Sequence, residues 1–272
     1  MESMGEVIKR TLMRESDSTL MICDVCGEPK EREFELLGKR RRVRVMCKCR
    51  AEEYEREKQR RENLEKQRKL ERLKAHSLMD RKFEDSTFDN WKVDKLNAKW
   101  KRFGERYCEN FGEMKSKGIG FLMWGPPGTG KTFLTSCIAN RLLSDMVPVI
   151  SISSIGLLNR IKETYGRYGQ EGEVEIINSL RNASLLILDD LGSEGNKEWA
   201  TTMLYQIIDS RYRDGKPMLV STNLTNDQLR EKLTERTYDR LIEMCTPIEI
   251  GGPSKRAMYG REKTKILRDL MR

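Results

Sequence analysis

From Lys115 onward the chain alternates short apolar runs with longer stretches whose apolar residues recur every three or four positions. KSKGIGFLMW, Lys115 to Trp124, leads into a glycine-rich turn, and TFLTSCIANRLLSDM, Thr132 to Met146, has helical periodicity. VPVISIS is strand-like and GLLNRIKETYG amphipathic, and the alternation continues with LLILDDLG, KEWATTMLYQIIDSRYRDG and KPMLVSTN. Strands alternating with helices predict an α/β fold, a parallel sheet covered by helices on both faces. QLREKLTERTYDRLIEMC, Gln228 to Cys245, reads as one helix with Leu229, Leu233, Leu241 and Ile242 inward. Residues 51–80 hold no Gly or Pro, and Tyr54, Leu64, Leu70 and Leu73 are too sparse for a heptad seam. Pairs of Glu with Lys or Arg three or four apart favour a solvated connector helix; a short coiled coil or a helix docking on a partner is the alternative. The expected divisions are a small module at 1–50, the charged helical linker at 51–82, a packed domain at 83–262 and a basic tail at 263–272.

Charge changes this picture by suggesting a partner. Hydrophobic residues make up 37% of the 272 positions and charged residues 35%, with a net charge of +9 and a pI near 9.2. That balance favours an anionic partner, nucleic acid first, although many soluble proteins are basic without one. No apolar run reaches the roughly 18 residues of a membrane span, so a cytoplasmic protein is expected. Seven cysteines then argue for metal ligation or free thiols, not a disulfide frame.

GPPGTGKT, Gly125 to Thr132, satisfies G-x-x-x-x-G-K-[ST] between a strand-like run and a helix. Glycines let consecutive backbone N–H groups curve round phosphate oxygens, and the helix directs its positive end at the same anion. The nucleotide-binding set is Gly125, Pro126, Pro127, Gly128, Thr129, Gly130, Lys131, Thr132 and Phe133. Lys131 supplies charge to the β- and γ-phosphates and Thr132 a hydroxyl to Mg²⁺. LLILDD ends in two carboxylates on a strand expected to sit beside the loop's own strand. Asp189 is the candidate Mg²⁺ ligand, through water, and Asp190 the group that orients or deprotonates the attacking water. The shorter reach of Asp190, where many ATPases have Glu, predicts slow basal turnover. Asn223, ending STN, is placed to bond the γ-phosphate or the water.

Arg236 and Arg240 are four apart and share a helix face. That face is either an ordinary basic surface or, at a subunit edge, the source of an arginine acting in trans, with Arg240 the first choice. Lys255 and Arg256 in GPSKRAMYG are candidates to touch the same phosphates from within the subunit.

GPPGTGKT, ILDDLG, STN and TERTYDRL, in this order, resemble the AAA+ ATPases of the DnaC/DnaI helicase-loader clade, which includes the IstB transposition helpers, over roughly residues 83–262. The resemblance implies a P-loop AAA+ domain with a reduced C-terminal lid, catalytic roles for Lys131, Asp189, Asp190 and Asn223, Arg240 as the arginine finger and Arg256 as the sensor 2 arginine. It implies ATP and Mg²⁺ as cofactors, self-association through the ATP sites, and delivery of a DnaB-type hexameric helicase to single-stranded DNA, with hydrolysis driving release. An IstB-like helper on duplex DNA, or a nucleotide-gated adaptor with little turnover, is the alternative.

Cys23, Cys26, Cys47 and Cys49 form C-x2-C-x20-C-x-C, two close pairs able to converge on one structural Zn²⁺. A zinc module ahead of the ATPase resembles the helicase-gripping region of DnaI-type loaders. KRRRVRV, Lys39 to Val45, reads as a strand with Val43 and Val45 on one face and arginines on the other. It would bind nucleic acid or an acidic helicase surface, or simply be solvated. Arg160, Lys162, Tyr165 and Arg167 combine cations with a stacking ring and are the candidate single-stranded DNA contacts; an ordinary polar helix face is the alternative. Cys108, Cys137 and Cys245 are expected to be core or surface thiols, and His76 solvated.

Overall fold

The computed structural model describes residues 20–36, 38–165, 171–195 and 198–271. The chain divides into two compact units, with the break between Arg68 and Lys69.

In the smaller unit, β1 (Glu31–Leu36) and β2 (Lys39–Arg44) form an antiparallel hairpin. Cross-strand pairing sorts its charges. Glu31, Glu33 and Glu35 lie opposite Arg44, Arg42 and Arg40, whereas Arg41 lies opposite Phe34 and Val43 opposite Arg32. The expected separation of valines from arginines therefore fails at Arg41, because the period of two puts Arg41 and Val43 on one face. Helix α1 (Lys48–His76) follows, its first free N–H donating to Glu28 Oε2 at 2.6 Å. None of its residues is buried, and its surface carries Arg50–Glu53, Arg56–Glu52 and Lys58–Glu55 pairs. Such exposed pairs add little stability each.

The larger unit is built on five strands: β3 (Gly120–Trp124), β4 (Val149–Ser153), β5 (Leu185–Asp189), β6 (Met218–Thr222) and β7 (Cys245–Glu249). Their order is β4-β5-β6-β3-β7 and every neighbouring pair is parallel. β5 does not lie beside β3 as expected, because β6 is inserted between them. The insertion brings the polar end of β6 between the glycine loop and the two aspartates. Alternate residues of each buried strand face opposite layers. Leu122, Leu186, Leu188, Met218 and Val220 join one core, and Phe121, Met123, Leu185, Ile187 and Leu219 the other.

The first layer is covered by α5 (Ser154–Tyr165), α6 (Glu171–Asn182), α7 (Glu198–Arg213), α8 (Asn226–Lys232) and α9 (Glu235–Met244). The second is covered by α2 (Ala98–Glu109), α3 (Phe111–Ser116) and α4 (Lys131–Ser144), with Phe88 and Trp91. The single helix expected from Gln228 to Cys245 is two. Leu233 is extended at ψ 159°, and Thr234 caps a new helix by accepting from Thr237 N, while Cys245 opens β7. After β7 comes α10 (Lys255–Leu270), so residues 263–270 continue a helix.

Arg211, fully buried, is held by the carbonyls of Leu180, Ala183 and Pro217, and burial pulls its guanidinium down to about 10. Ser77 O accepts from Ser151 N at 2.7 Å, and Asn140 Nδ2 donates to Phe83 O and Ser86 O, tying the segment before α2 to β4 and to α4. No helix of the described residues is long and apolar enough to cross a membrane.

Candidate functional site

The turn after β3 has left-handed glycines at Gly128, φ +84°, and Gly130, φ +104°. A Cβ at Gly128 would collide with the Ser254 hydroxyl, so that position requires glycine for space as well as conformation. Gly130 leads directly into α4, placing the free N–H groups of its first turn at the loop.

Lys131 is 4% exposed, and its ammonium donates to Gly125 O at 2.7 Å, Pro126 O at 2.9 Å and Asn223 Oδ1 at 2.8 Å. Three partners saturate its three protons. Burial nevertheless lowers its pKa, opposed by Asp190 and Asp189. A phosphate oxygen reaching this lysine must exchange with one of these acceptors.

Thr132 Oγ1 donates to Asp189 at 2.9 and 3.1 Å, and Ser221 Oγ donates to the same carboxylate. Burial raises the pKa of Asp189 and the Asp190 charge adds to it, while the Ser221 and Thr132 hydroxyls oppose the rise. A hydroxyl and a carboxylate this close form a hard-oxygen donor set of the kind Mg²⁺ takes.

Asp190 sits at φ +51°. Few non-glycine residues tolerate that region, Asp and Asn foremost. The conformation gives a local reason for aspartate over glutamate here. Its N–H donates to Ser221 Oγ at 3.2 Å, and its Oδ1 accepts from Asn223 Nδ2 at 3.2 Å. Its carbonyl accepts from Ser193 Oγ at 2.6 Å and Ser154 Oγ at 3.0 Å. Ser154 also meets Glu194 Oε2 at 2.7 Å, and this buried carboxylate accepts from Gly192 N. Lys131, Asn223 and Asp190 are thus one chain of contacts, Thr132, Asp189 and Ser221 another, and Ser221 Oγ joins the two through the Asp190 N–H.

A cavity of about 500 Å³ opens over this cluster. Pro127, Gly128, Thr129, Gly130, Lys131, Thr132 and Phe133 line its floor, with Asp190, Asn223 and Arg256. Gly125 and Pro126 enter through their carbonyls instead. Trp91, edge-on to Phe133, and Tyr259, under Lys92, form apolar wall. Lys255 pairs with Asp94 and donates its N–H to Gly128 O. Ser221, Trp91 and Tyr259 were not among the sequence candidates. The strand-end position of Ser221, two residues before Asn223, was the available signal for it; nothing local marks the other two.

Arg240 is separate from this cavity's lining. Its Nη1 donates to Tyr205 Oη at 3.0 Å and to Asp209, and its guanidinium lies 5.4 Å from both the Tyr205 and Tyr212 ring centres. The more exposed Arg236 reaches the same Tyr205 phenol. The DNA candidates are not brought together. Arg160 lines a groove with Glu175 and Ser179, while Lys162 Nζ lies 4.8 Å over Trp199. Residues two apart on a helix point roughly 200° from each other. Tyr165 is the last residue of α5, and Arg167 lies outside the described residues.

In the smaller unit the thiol sulfurs of Cys23, Cys26, Cys47 and Cys49 all lie within 4.8 Å of one another. Cys23 to Cys49 is 3.5 Å and Cys47 to Cys49 is 3.4 Å. Four thiolates about 2.3 Å from a tetrahedral Zn²⁺ stand about 3.8 Å apart, so the donor set fits that ion. Backbone N–H groups of Cys26 and Val25 hold the Cys23 thiol down to about 6. Hydrogen bonding among the thiols, Cys47 first, pushes Cys49 up to about 12. Gly27, at φ +72°, closes the first turn by donating to Cys23 O. Cys108, Cys137 and Cys245 are buried in the larger unit, and His76 is exposed.

The model of the family described as IstB-like ATP binding protein matches residues 46–263. The replicative helicase loader DnaC of Escherichia coli strain K12 is 30% identical over 162 residues, 58% of this chain and 63% of that protein. The matched stretch therefore spans less than two thirds of that relative. Among solved structures, the DnaC helicase loader is matched at TM-score 0.56 and 21% identity, over 63% of this chain and 100% of that one. DnaI is matched at TM-score 0.55 and 25% identity, over 66% of this chain and 98% of that one. The larger unit has the AAA+ fold of these neighbours.

Proposed function

We propose, from the premise that this chain belongs to the family of IstB-like ATP binding proteins, that it is an ATP-hydrolysing loader of a replicative helicase. The observation that carries the ATPase reading is the convergence of Lys131, Thr132, Asp190 and Asn223 on one cavity, with Asp189 and Ser221 hydrogen-bonded behind them. Lys131 takes the β- and γ-phosphates, Thr132 and Asp189 hold Mg²⁺, and Asp190, oriented by Asn223, accepts the proton of the attacking water. Bound Mg²⁺ neutralises charge on the phosphates. Arg256 meets the triphosphate from α10. The tethered, short side chain of Asp190 supports slow basal turnover. Arg240 completes the site of a neighbouring copy, so that ATP promotes assembly and hydrolysis releases it.

The loader reading is supported by the relatives, which carry that name. In it the cysteine module holds structural zinc and engages a DnaB-type helicase, and the face of α5 that carries Lys162 beside Trp199 meets single-stranded DNA. The test is loading of purified helicase onto single-stranded DNA circles by wild type, Lys131→Ala and Asp190→Asn, with ATP turnover measured in parallel. Expected is stimulated loading with wild type only, and turnover reduced at least tenfold in both variants. Equal loading without the protein, with turnover intact, defeats the loader reading and leaves the ATPase. The second reading, which the resemblance to IstB helpers implies, is a transposition helper on duplex DNA. Recovery of a transposase in place of helicase in a pull-down selects it.

A further inference from the structure

Tyr205, Asp209 and Tyr212 lie at i, i+4 and i+7 on one face of α7, and the guanidinium of Arg240 from α9 sits among them. The arginine side chain is 19% exposed and the Asp209 side chain 14%. The clamp is itself braced. The second oxygen of Asp209 takes Arg213 Nε at 2.9 Å, and Tyr212 Oη donates to Glu243 at 2.9 Å. Both hydrogen bonds of Arg240 leave from Nη1; among the described residues, Nε and Nη2 make none. The guanidinium is therefore anchored by one edge, and its other donors stay free.

We infer that Asp209, with Tyr205 and Tyr212, is the positioning set that presents Arg240 to the triphosphate held by an adjoining copy of this chain. The inference rests on the trans-acting role proposed above. An arginine on a flexible stem loses rotamer freedom on reaching a phosphate, whereas one already fixed between two rings has lost it beforehand. Its planar fork keeps donors available for the equatorial oxygens of the transferring group. Docking α9 on α7 does not require this arrangement, since Leu204, Ile208 and Leu241 already pack in the same core. Asp209 touches no nucleotide. Its loss should change turnover at the neighbour's site and leave its own subunit's ATP affinity alone.

The experiment mixes two full-length variants with ATP and single-stranded DNA. Arg240→Ala keeps its own site but offers no finger; Lys131→Ala offers a finger but binds ATP at least tenfold more weakly and contributes little turnover of its own. Adding the second to the first should restore turnover. Lys131→Ala combined with Asp209→Asn should restore about tenfold less, the loss of one hydrogen bond to a charged group. With Asp209→Glu in its place, restoration should largely return. The single variant Asp209→Asn should bind ATP within about twofold of wild type, with kcat carrying the defect. Restoration by the Asp209→Asn double variant equal to that by Lys131→Ala overturns the positioning role and leaves the trans role standing. Arg240→Ala turning over at the wild-type rate removes both. Should Asp209→Asn lower the melting temperature, Tyr205→Phe, which deletes one hydroxyl, carries the test: undiminished restoration overturns the inference, and a severalfold loss at unchanged melting supports it.

Discussion

Replacing Ser221 by alanine removes the single hydroxyl that serves both aspartates. Ser221 is fully buried, donates to Asp189 and accepts from the Asp190 N–H. A hydrogen bond to a charged group contributes about 1.5–3 kcal/mol, and a buried N–H left unpaired costs about 1–3 kcal/mol. The two terms overlap and water reaches the half-buried carboxylate, so the expected loss is about 2–4 kcal/mol. For a unit of this size each kcal/mol lowers Tm by about 2–4 °C, which gives a drop of about 4–16 °C. A second signature separates this cause from a general packing defect. The Ser221 hydroxyl opposes the burial that raises the pKa of Asp189, so its removal lets that pKa rise further. Mg²⁺ then competes with a more tightly held proton. The thermal gain on adding Mg·ATP should shrink most at the acid end of the range and recover as pH is raised. Melting curves of wild type and Ser221→Ala, with and without Mg·ATP across pH 6–9, measure both. A Tm within about 1 °C of wild type, with the same response to Mg·ATP at every pH, refutes the reasoning.

Three further outcomes are expected. Asp190→Glu lengthens the side chain but places a poorer residue at φ +51°, so stability should fall by about 1 kcal/mol and turnover should not rise; faster turnover at wild-type Tm contradicts this. Asp189 has a folded-state pKa raised by burial, so its favourable contribution is present below the unfolded value and is lost as pH rises through the folded one. The nucleotide-free protein should therefore lose stability relative to Asp189→Asn as pH rises from about 4, and parallel Tm profiles would contradict that sign. Wild type should contain one zinc per chain by elemental analysis and Cys26→Ser little, with α10 and the sheet unaffected; equal zinc in both excludes the four-cysteine site.

What the chain disclosed before folding was chiefly what depends on local spacing. GPPGTGKT carries its own backbone requirements, and the close cysteine pairs can converge without knowledge of the remaining fold. The strands β3, β5 and β6 stood out because buried parallel strands are continuous apolar runs, Leu185 to Leu188 among them. Strand order was not legible. Nothing in KPMLVSTN states that it enters between the other two strands, and so Ser221 passed unnoticed while Asn223 was singled out. Arg211 reads as one more cation in SRYR, yet three carbonyls from distant segments take it into the core. The clamp on Arg240 escaped for the same reason, because its partners come from another helix. The break at Thr234 is hidden because the apolar periodicity of Leu229, Leu233, Leu241 and Ile242 runs across it, and a single cap residue is a weaker signal than that stripe.

The central claim is that the glycine turn, Lys131 and the Asp189 group hold a magnesium–triphosphate. Its most direct measurement is equilibrium binding of a fluorescent ATP analogue to wild type and Lys131→Ala, with Mg²⁺ and with chelator. Predicted is saturable, Mg²⁺-dependent binding to wild type and affinity at least tenfold weaker in a variant that still melts cooperatively. Equal affinity in the two proteins, with or without Mg²⁺, would contradict it.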